Sequence, residues 1–302
     1  MHYLTQNDGS LFDHLIAAFP DSSRSTIRSW TAHGRIHVNG RRVKRTDTPV
    51  SKGSLIELQA KPLPHEGPLR IHYEDRHIIV VEKPSGLLSV AKETGEEVSA
   101  HAWIKHRFPG RVIPVVHRLD QDTSGLMVFG LTDTAFHGLK TELQQGGIKR
   151  IYRALVEGRL EAPTTWEGYL IEDRSLKMHV APKSTKGAER AVTHVTPLRV
   201  GEVYTLIDCE LETGKKNQIR VQAAHAGHPI AGDTKYGSRR KDAYRLCLHA
   251  RLLSFHHPIT KEKMLFESPP PPFFDRLALR KRPLEQVQKR FSTPIPQKTP
   301  KP

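Results

Sequence analysis

Val115-Val116-His117-Arg118-Leu119-Asp120-Gln121-Asp122-Thr123-Ser124-Gly125-Leu126-Met127-Val128-Phe129 is the stretch from which the fold of this 302-residue chain is read. Two apolar runs, Val112 to Val116 and Leu126 to Leu131, have the composition of buried strands. Between them lies a polar loop with an imidazole, a guanidinium and two carboxylates. Thr123-Ser124-Gly125 is turn chemistry, with a glycine where the backbone must bend freely. The pattern predicts a hairpin with a charged tip. Charges pinned between buried strands cost free energy unless they are paired or used. A generic loop of this kind would be a solvated tip, and hydrogen bonding within the turn accounts for Asp122.

Outward from this stretch, strand and helix signals alternate. Upstream, Ile71-His72-Tyr73 and Ile78 to Glu82 read as strands, followed by the turn Lys83-Pro84-Ser85-Gly86 and a helix from Glu96 to Phe108. Downstream, Thr132 or Asp133 caps a helix bearing Phe136, Leu139 and Leu143, which Gly146-Gly147 closes. Lys149 to Gly158 reads as a strand, in which Tyr152 passes for a half-buried aromatic. Further strands are expected at Leu176 to Val180, Ala191 to Val195 and Val203 to Leu211. Thr213 to Gln222 opens a short helix running toward Gly227, and Leu246 to His249 and Arg251 to Phe255 close the set.

Before all this, Leu11, Leu15, Ile16 and Phe19 recur at helical spacing behind a cap at Asp8 or Ser10. A second helix carries Ile27 and Trp30 inward, with Arg24 and Arg28 on one face. Ile36 to Val43 is a strand, an Asn-Gly turn and a strand, and Gly53 to Leu58 adds another. Arg24, Arg28, Arg35, Arg41, Arg42, Lys44 and Arg45 make this unit densely basic, which suits phosphate contacts. The proline-rich Ala60 to Pro68 reads as a semi-rigid linker. The expected domains are residues 1–60, a linker at 61–70, a main domain at 71–280 and a basic, proline-rich, disordered tail at 281–302.

The net charge of +15 points to a polyanionic partner. The two cysteines, Cys209 and Cys247, are isolated, which argues against a zinc or disulfide framework and fits a reducing cytoplasm. His225, His228, His249, His256 and His257 lack thiol or carboxylate companions at ligand spacing, so no metal is expected. No apolar run approaches the ~20 residues that span a bilayer, and no signal-peptide core opens the chain. A cytoplasmic monomer is expected.

His117-Arg118-Leu119-Asp120-x-x-Thr123-Ser124-Gly125 resembles the signature of the RluA family of pseudouridine synthases, which isomerise uridine within RNA. Lys83-Pro84-x-Gly86 and Arg150-x-Tyr152-x-Ala154 resemble further family elements. So do Gly214-Lys215 with Gln218-Ile219-Arg220, Gly227-His228-Pro229 and Gly232-Asp233-x-x-Tyr236-Gly237. Asn217 and Gln222 stand where family members commonly have histidine. The first sixty residues resemble the alpha-L (S-four type) RNA-binding module. The resemblance implies an α+β fold, a mixed, mainly antiparallel sheet preceded by that small module. It implies Asp120 as the catalytic carboxylate and Arg220 as the cation that keeps it ionised. It implies that Tyr152 packs on the detached base and assists proton removal from carbon 5, and that Arg118 fills the vacated stack. No cofactor is implied. Ribosomal RNA of the large subunit is the expected substrate, with tRNA as the alternative. A kinase catalytic loop shares His-Arg-Leu-Asp, but the glycine-rich loop and Asp-Phe-Gly are missing. A non-catalytic RNA-binding assembly factor would have the basic unit without needing Asp120, Tyr152 and Arg220 together.

Overall fold

Apolar residues at helical spacing near the start of the chain form two short helices. The computed structural model describes residues 2–20, 22–32, 35–43, 45–58, 69–91 and 98–281, with the backbone alone for His2, Arg41 and Arg42. β1 (His2–Leu4) and β2 (Gly9–Ser10) lead into α1 (Leu11–Ala18). Ser10 caps it, its Oγ accepting from the Asp13 N–H at 3.2 Å and so satisfying a donor the helix leaves open. α2 (Arg24–Ala32) is followed by β3 (Ile36–Val38) and β4 (Arg41–Val43). Both residues of the joining Asn39-Gly40 turn have positive φ, 51° and 75°, as a two-residue hairpin turn requires. β5 (Pro49–Val50) pairs β2, and β6 (Leu55–Leu58) lies between β1 and β3. Leu11, Leu15, Ile27, Ile36, Val50 and Ile56 form the core of this unit, residues 1–67.

The second unit, residues 68–302, is built on a ten-stranded sheet. Its strands are β7 (Arg70–Glu74), β8 (Ile78–Lys83), β9 (Ser124–Gly130), β10 (Lys149–Glu157), β11 (Thr164–Glu172), β12 (Met178–Ala181), β13 (Glu189–Val200), β14 (Tyr204–Leu211), β15 (Leu248–His256) and β16 (Lys263–Glu267). The order is β12-β11-β13-β14-β10-β15-β9-β8-β7, with β16 beside β15. Every pairing is antiparallel except β9 with β15. The helices are α3 (Ala100–Arg107), α4 (Asp133–Gln144), α5 (Gln218–His225) and α6 (Phe273–Ala278). This is the mixed, mainly antiparallel α+β architecture that the strand signals and the resemblance implied. No described helix is long and apolar enough to cross a membrane.

β8 and β9 are buried on both faces, and alternation divides their side chains. Ile78, Val80, Leu126 and Val128 pack with Ala135 and Leu139 of α4. Ile79, Val81, Met127 and Phe129 pack with Trp103 and Ile104 of α3. That is why both strands read as unbroken apolar runs. β9 touches β15 only at Ser124–His249 and Gly125–Ala250, and β16 takes the same edge of β15 from Leu252 onward. The backbones approach so closely there that a Cβ on Gly125 would lie 2.3 Å from the Ala250 carbonyl oxygen. Past this point β9 diverges from β15, and a side chain replaces the missing ladder: the Val128 N–H donates to His117 Nε2 at 3.1 Å.

Several expectations need correction. Val112 to Val116 is not a strand: Ile113 and Val116 turn inward while Val112 is 77% exposed. The edge of β15 is already shared by β9 and β16, so the charged stretch is a loop entering β9, not a hairpin tip. Leu176 sits in a turn with φ 60°, and the strand starts at Met178. The two closing strands are one, β15. β13 runs on to Val200 through Pro197, which a bulge accommodates. β11, β16 and α6 were not foreseen. In β11, Glu167 and Gly168 separate two short strand-like runs, Thr164-Thr165-Trp166 and Tyr169-Leu170-Ile171. Leu69 is buried and Arg70 opens β7, so the first strand starts inside the stretch read as linker. The rest of that stretch, Glu96 and Glu97 ahead of α3, and the tail from residue 282 lie outside the described residues.

Candidate active site

Asp120 lies in the loop four residues before β9, and its neighbours' backbone is braced by side chains. Lys83, at the end of β8, donates to the carbonyls of Gln121 (2.9 Å), Pro84 (3.0 Å) and Leu87 (2.7 Å). Burial pushes its amine down to about 7, against the pull of Asp122 and Asp120. Ser89 Oγ donates to the Leu119 carbonyl at 2.7 Å and accepts its N–H at 2.9 Å. Ser85 Oγ holds the Asp122 carbonyl at 2.7 Å. The Lys-Pro-x-Gly turn is thus a buttress for the loop. His117 is held neutral, its ionisation pushed down to about 3 by burial first and then by Arg150 and Lys140. A neutral ring is what its acceptor role toward Val128 requires.

Arg220, on α5, joins two carboxylates. Its Nε and Nη2 donate to Asp233 at 2.7 and 2.8 Å, and its Nη1 donates to Asp120 Oδ2 at 3.2 Å. Burial opposes the Arg220 charge, but the hydrogen bonds and charge of Asp233, with those of Asp120, raise its ionisation above the ordinary value. The guanidinium also lies 5.1 Å from the centre of the Tyr236 ring. The Asp233 side chain is 1% exposed and that of Asp120 is 23% exposed.

α5 itself is fastened by two buried glutamines. Gln218 Nε2 donates to the Val192 carbonyl (3.0 Å) and Thr193 Oγ1 (2.9 Å). Gln222 Nε2 donates to the carbonyls of Trp166 (2.9 Å) and Ala191 (3.0 Å), while its Oε1 accepts from Thr193 (2.7 Å). Asn217 enters the helix with φ 51°, and its Oδ1 accepts from the Tyr236 hydroxyl at 3.0 Å. Both residues that depart from the family pattern therefore position the helix that carries Arg220.

Tyr152 sits on β10 opposite Cys209 and Ala250, next to a register shift between Ile151 and Tyr152. A bulge there re-aims the side chain. It is 7% exposed, and burial pushes its phenol up to about 12, with Arg150 opposing and Asp120 adding. The hydroxyl therefore stays protonated near neutral pH.

Asp120, Tyr152, Arg220 and Arg118 line one pocket of ≈ 330 Å³. A wider cleft of ≈ 900 Å³ continues from Asp120, Arg118 and Arg220 to Lys215, Lys216, Tyr244 and Arg245. Arg118 is exposed. The other basic residues singled out from the sequence belong to the N-terminal unit. Arg24 and Arg28 are exposed, and Arg28 lies 5.0 Å from the Phe12 ring centre. Arg35 lies 5.7 Å from that of Trp30. Arg45 donates to both carboxylate oxygens of Asp47. The side chains of Arg41 and Arg42, and all of Lys44, lie outside the described residues. Asp233, Tyr236, Lys83 and Ser89 were missed as parts of the site. The Gly232-Asp233-x-x-Tyr236-Gly237 pattern was the available signal for the first two.

The model of the RNA pseudouridylate synthase family matches residues 77–225, and that of the S4 domain matches residues 12–56. Ribosomal large subunit pseudouridine synthase D of Vibrio cholerae is 33% identical over 292 residues, covering 87% of this chain and 88% of that protein. The protein of the same name from Neisseria meningitidis serogroup A is 36% identical over 289 residues, covering 87% and 76%. Among solved structures, human RNA pseudouridylate synthase domain containing 1 aligns with a TM-score of 0.59 at 23% identity, over 79% of this chain and 100% of that one. That last likeness concerns the fold.

Proposed function

As the chain belongs to the RluA family of RNA pseudouridine synthases and carries an N-terminal S4 domain, we propose that it isomerises uridine to pseudouridine in large-subunit ribosomal RNA, with Asp120 as the reacting carboxylate. The observation that carries the assignment is the Asp120–Arg220 contact at 3.2 Å in a pocket that Tyr152 also lines. The reaction breaks the bond from ribose carbon 1 to the base nitrogen, turns the base and joins its carbon 5 to the sugar. An ionised carboxylate beside the sugar either adds to carbon 1 or takes a proton from carbon 2, and both routes need a cation to hold it charged and aimed. Arg220 is that cation, itself held by Asp233. Tyr152 packs against the detached base. Extruding the base from structured RNA costs a few kcal/mol, and Arg118 at the pocket rim fills the vacated stack. The exposed arginines of the S4 domain supply phosphate contacts, and the protein works as a cytoplasmic monomer.

The test is pseudouridine mapping of total RNA from cells with and without the protein. Loss of one or more large-subunit ribosomal sites is expected, restored by wild type and not by Asp120→Asn. Loss confined to tRNA would overturn the substrate, and restoration by Asp120→Asn would overturn the carboxylate.

A further inference from the structure

Two buried polar groups in the same pocket have no partner in the protein. Arg150 is 9% exposed, and its Nε makes no hydrogen bond; Thr123 is 2% exposed, and its Oγ1 makes none. Both line the ≈ 330 Å³ pocket with Asp120 and Tyr152. No ion pair is recorded for Arg150 among the described residues. Other buried or half-buried arginines of this sheet are clamped: Arg153 and Arg251 both hold Asp208, at 2.7 and 3.0 Å. A buried guanidinium without an acceptor is costly, so an unpaired one facing a pocket marks a place for a ligand acceptor. Its position is shaped by a gap in the facing loop. A Cβ at Gly214 would lie 2.6 Å from Arg150 Nη1. The charge of Arg150 is felt by both Tyr152 and His117, which places it beside the base-packing tyrosine.

We propose that Arg150 and Thr123 bind the extruded uracil directly, Arg150 donating to a ring carbonyl oxygen and the Thr123 hydroxyl accepting from the N3–H. This rests on the pseudouridine synthase reading of the pocket. Uracil presents a carbonyl, an N–H and a second carbonyl in a row. Turning the ring about the N3–C6 axis exchanges N1 with C5 and one carbonyl with the other, and leaves N3–H where it was. A donor at one carbonyl and an acceptor at N3–H therefore keep their partners through the turn the reaction requires. Cytosine has an amino group in place of the carbon 4 carbonyl, so a guanidinium at that edge loses its acceptor, while the unprotonated N3 can still accept from the Thr123 hydroxyl. A site built to hydrogen-bond rejects such an analogue strongly. When the bond from carbon 1 to N1 breaks, its electron pair passes to the ring and spreads over N1 and the carbonyl oxygens. A guanidinium at one of those oxygens stabilises that charge as it develops. When carbon 5 attacks carbon 1, a ring electron pair forms the new carbon–carbon bond, the carbon 5 proton passes to water, and N1 takes up a proton from water, so the product is an isomer of the substrate.

The experiment compares wild type, Arg150→Met, Thr123→Val and Gly214→Ala on total RNA from cells lacking the protein, with single-turnover rates, RNA affinity and thermal midpoints. Arg150→Met should slow isomerisation about 100-fold and Thr123→Val about 10-fold. RNA affinity should change by less than about 3-fold, since phosphate contacts dominate it. Thermal midpoints of both should equal or exceed wild type, because neither side chain has a protein partner to lose. Gly214→Ala should slow the reaction with every polar group retained. Wild-type rates in Arg150→Met or Thr123→Val would overturn the inference and leave the family reading intact, as would a lowered midpoint that accounts for the lost rate. A wild-type rate in Gly214→Ala would overturn the position assigned to the guanidinium. A wild-type protein that forms no pseudouridine would instead overturn the reading beneath it.

Discussion

Two loops meet at the guanidinium of Arg220 and are held in opposite ways. The loop carrying Asp233 is woven in by its backbone. The Ala231 N–H bonds the Leu155 carbonyl at 2.8 Å, the Cys247 N–H bonds the Ala231 carbonyl at 2.9 Å, and Ile230 bridges Val156. Its carboxylate is sealed and doubly bonded to Arg220. The loop carrying Asp120 has a single backbone tie to the Lys83–Gly86 turn, the Gly86 N–H donating to the Gln121 carbonyl at 2.9 Å, and otherwise hangs on the side chains of Lys83, Ser85, Ser89 and His117. Its carboxylate is partly open and holds one longer bond to Arg220. A carboxylate whose lone pairs are all engaged fixes a cation in place. One that keeps lone pairs facing a pocket can react. The difference between 1% and 23% side-chain exposure therefore separates the anchor from the carboxylate proposed to react.

The sharpest way to break this comparison is to neutralise each carboxylate in turn. Asp120→Asn should lower the single-turnover rate by about 10⁴-fold or more and shift unfolding free energy by no more than about 1 kcal/mol. A variant that turns over within tenfold of wild type would make the two loops equivalent. Asp233→Asn should do the reverse in kind. It strips a buried guanidinium of its two-pronged partner, and urea denaturation should show a loss of about 3–5 kcal/mol. Unchanged stability would mean that Asp120 alone suffices to hold Arg220.

Acid should loosen the Asp120 loop through His117. The unfolded imidazole titrates near 6.5 and the folded one at about 3. Between those values the unfolded state binds a proton that the folded state refuses, so stability falls as pH drops through that window. His117→Gln keeps an acceptor for the Val128 N–H without titrating. Between pH 6.5 and 4, wild type should lose about 2–3 kcal/mol more than this variant. Parallel stability curves would show that His117 is not the acid-sensitive tie.

The smallest expected effects compare one serine that braces each loop. Ser89→Ala leaves the Leu119 N–H and carbonyl without their bonds and should cost about 1–3 kcal/mol, with a several-fold slower reaction. Ser238 Oγ accepts from the Gly232 N–H at 3.1 Å and donates to Glu157 at 2.7 Å. Ser238→Ala should cost a similar stability and leave the rate nearly unchanged. Equal slowing in both would erase the distinction between a suspended and a woven loop.

Legibility in the sequence followed the range of the interactions. β8 and β9 were visible because burial on both faces demands apolar residues at every position. α1 and α4 were visible because a cap and a 3.6-residue period are local. The Asn39-Gly40 turn was visible because few residues tolerate its dihedrals. Val112 to Val116 misled because an apolar run says what is buried and not whether a strand is free to pair with it. β11 was hidden by the break at Glu167 and Gly168, which its neighbours β12 and β13 override by pairing on both sides.

The sequence by itself determined the basic character of the N-terminal unit, and through its resemblance to a known family it implied the fold class and pointed to Asp120, Tyr152 and Arg220, because motifs and periodicities are short-range properties of the chain. Only the tertiary structure decided that Arg220 is held chiefly by Asp233, that Tyr152 is buried opposite Cys209 and Ala250, and that Arg150 and Thr123 face the pocket unpaired. Each of these depends on burial and on contacts between residues far apart in the chain, such as the 100 positions between Asp120 and Arg220. No local pattern encodes whether a side chain's hydrogen-bonding capacity is met elsewhere in the fold.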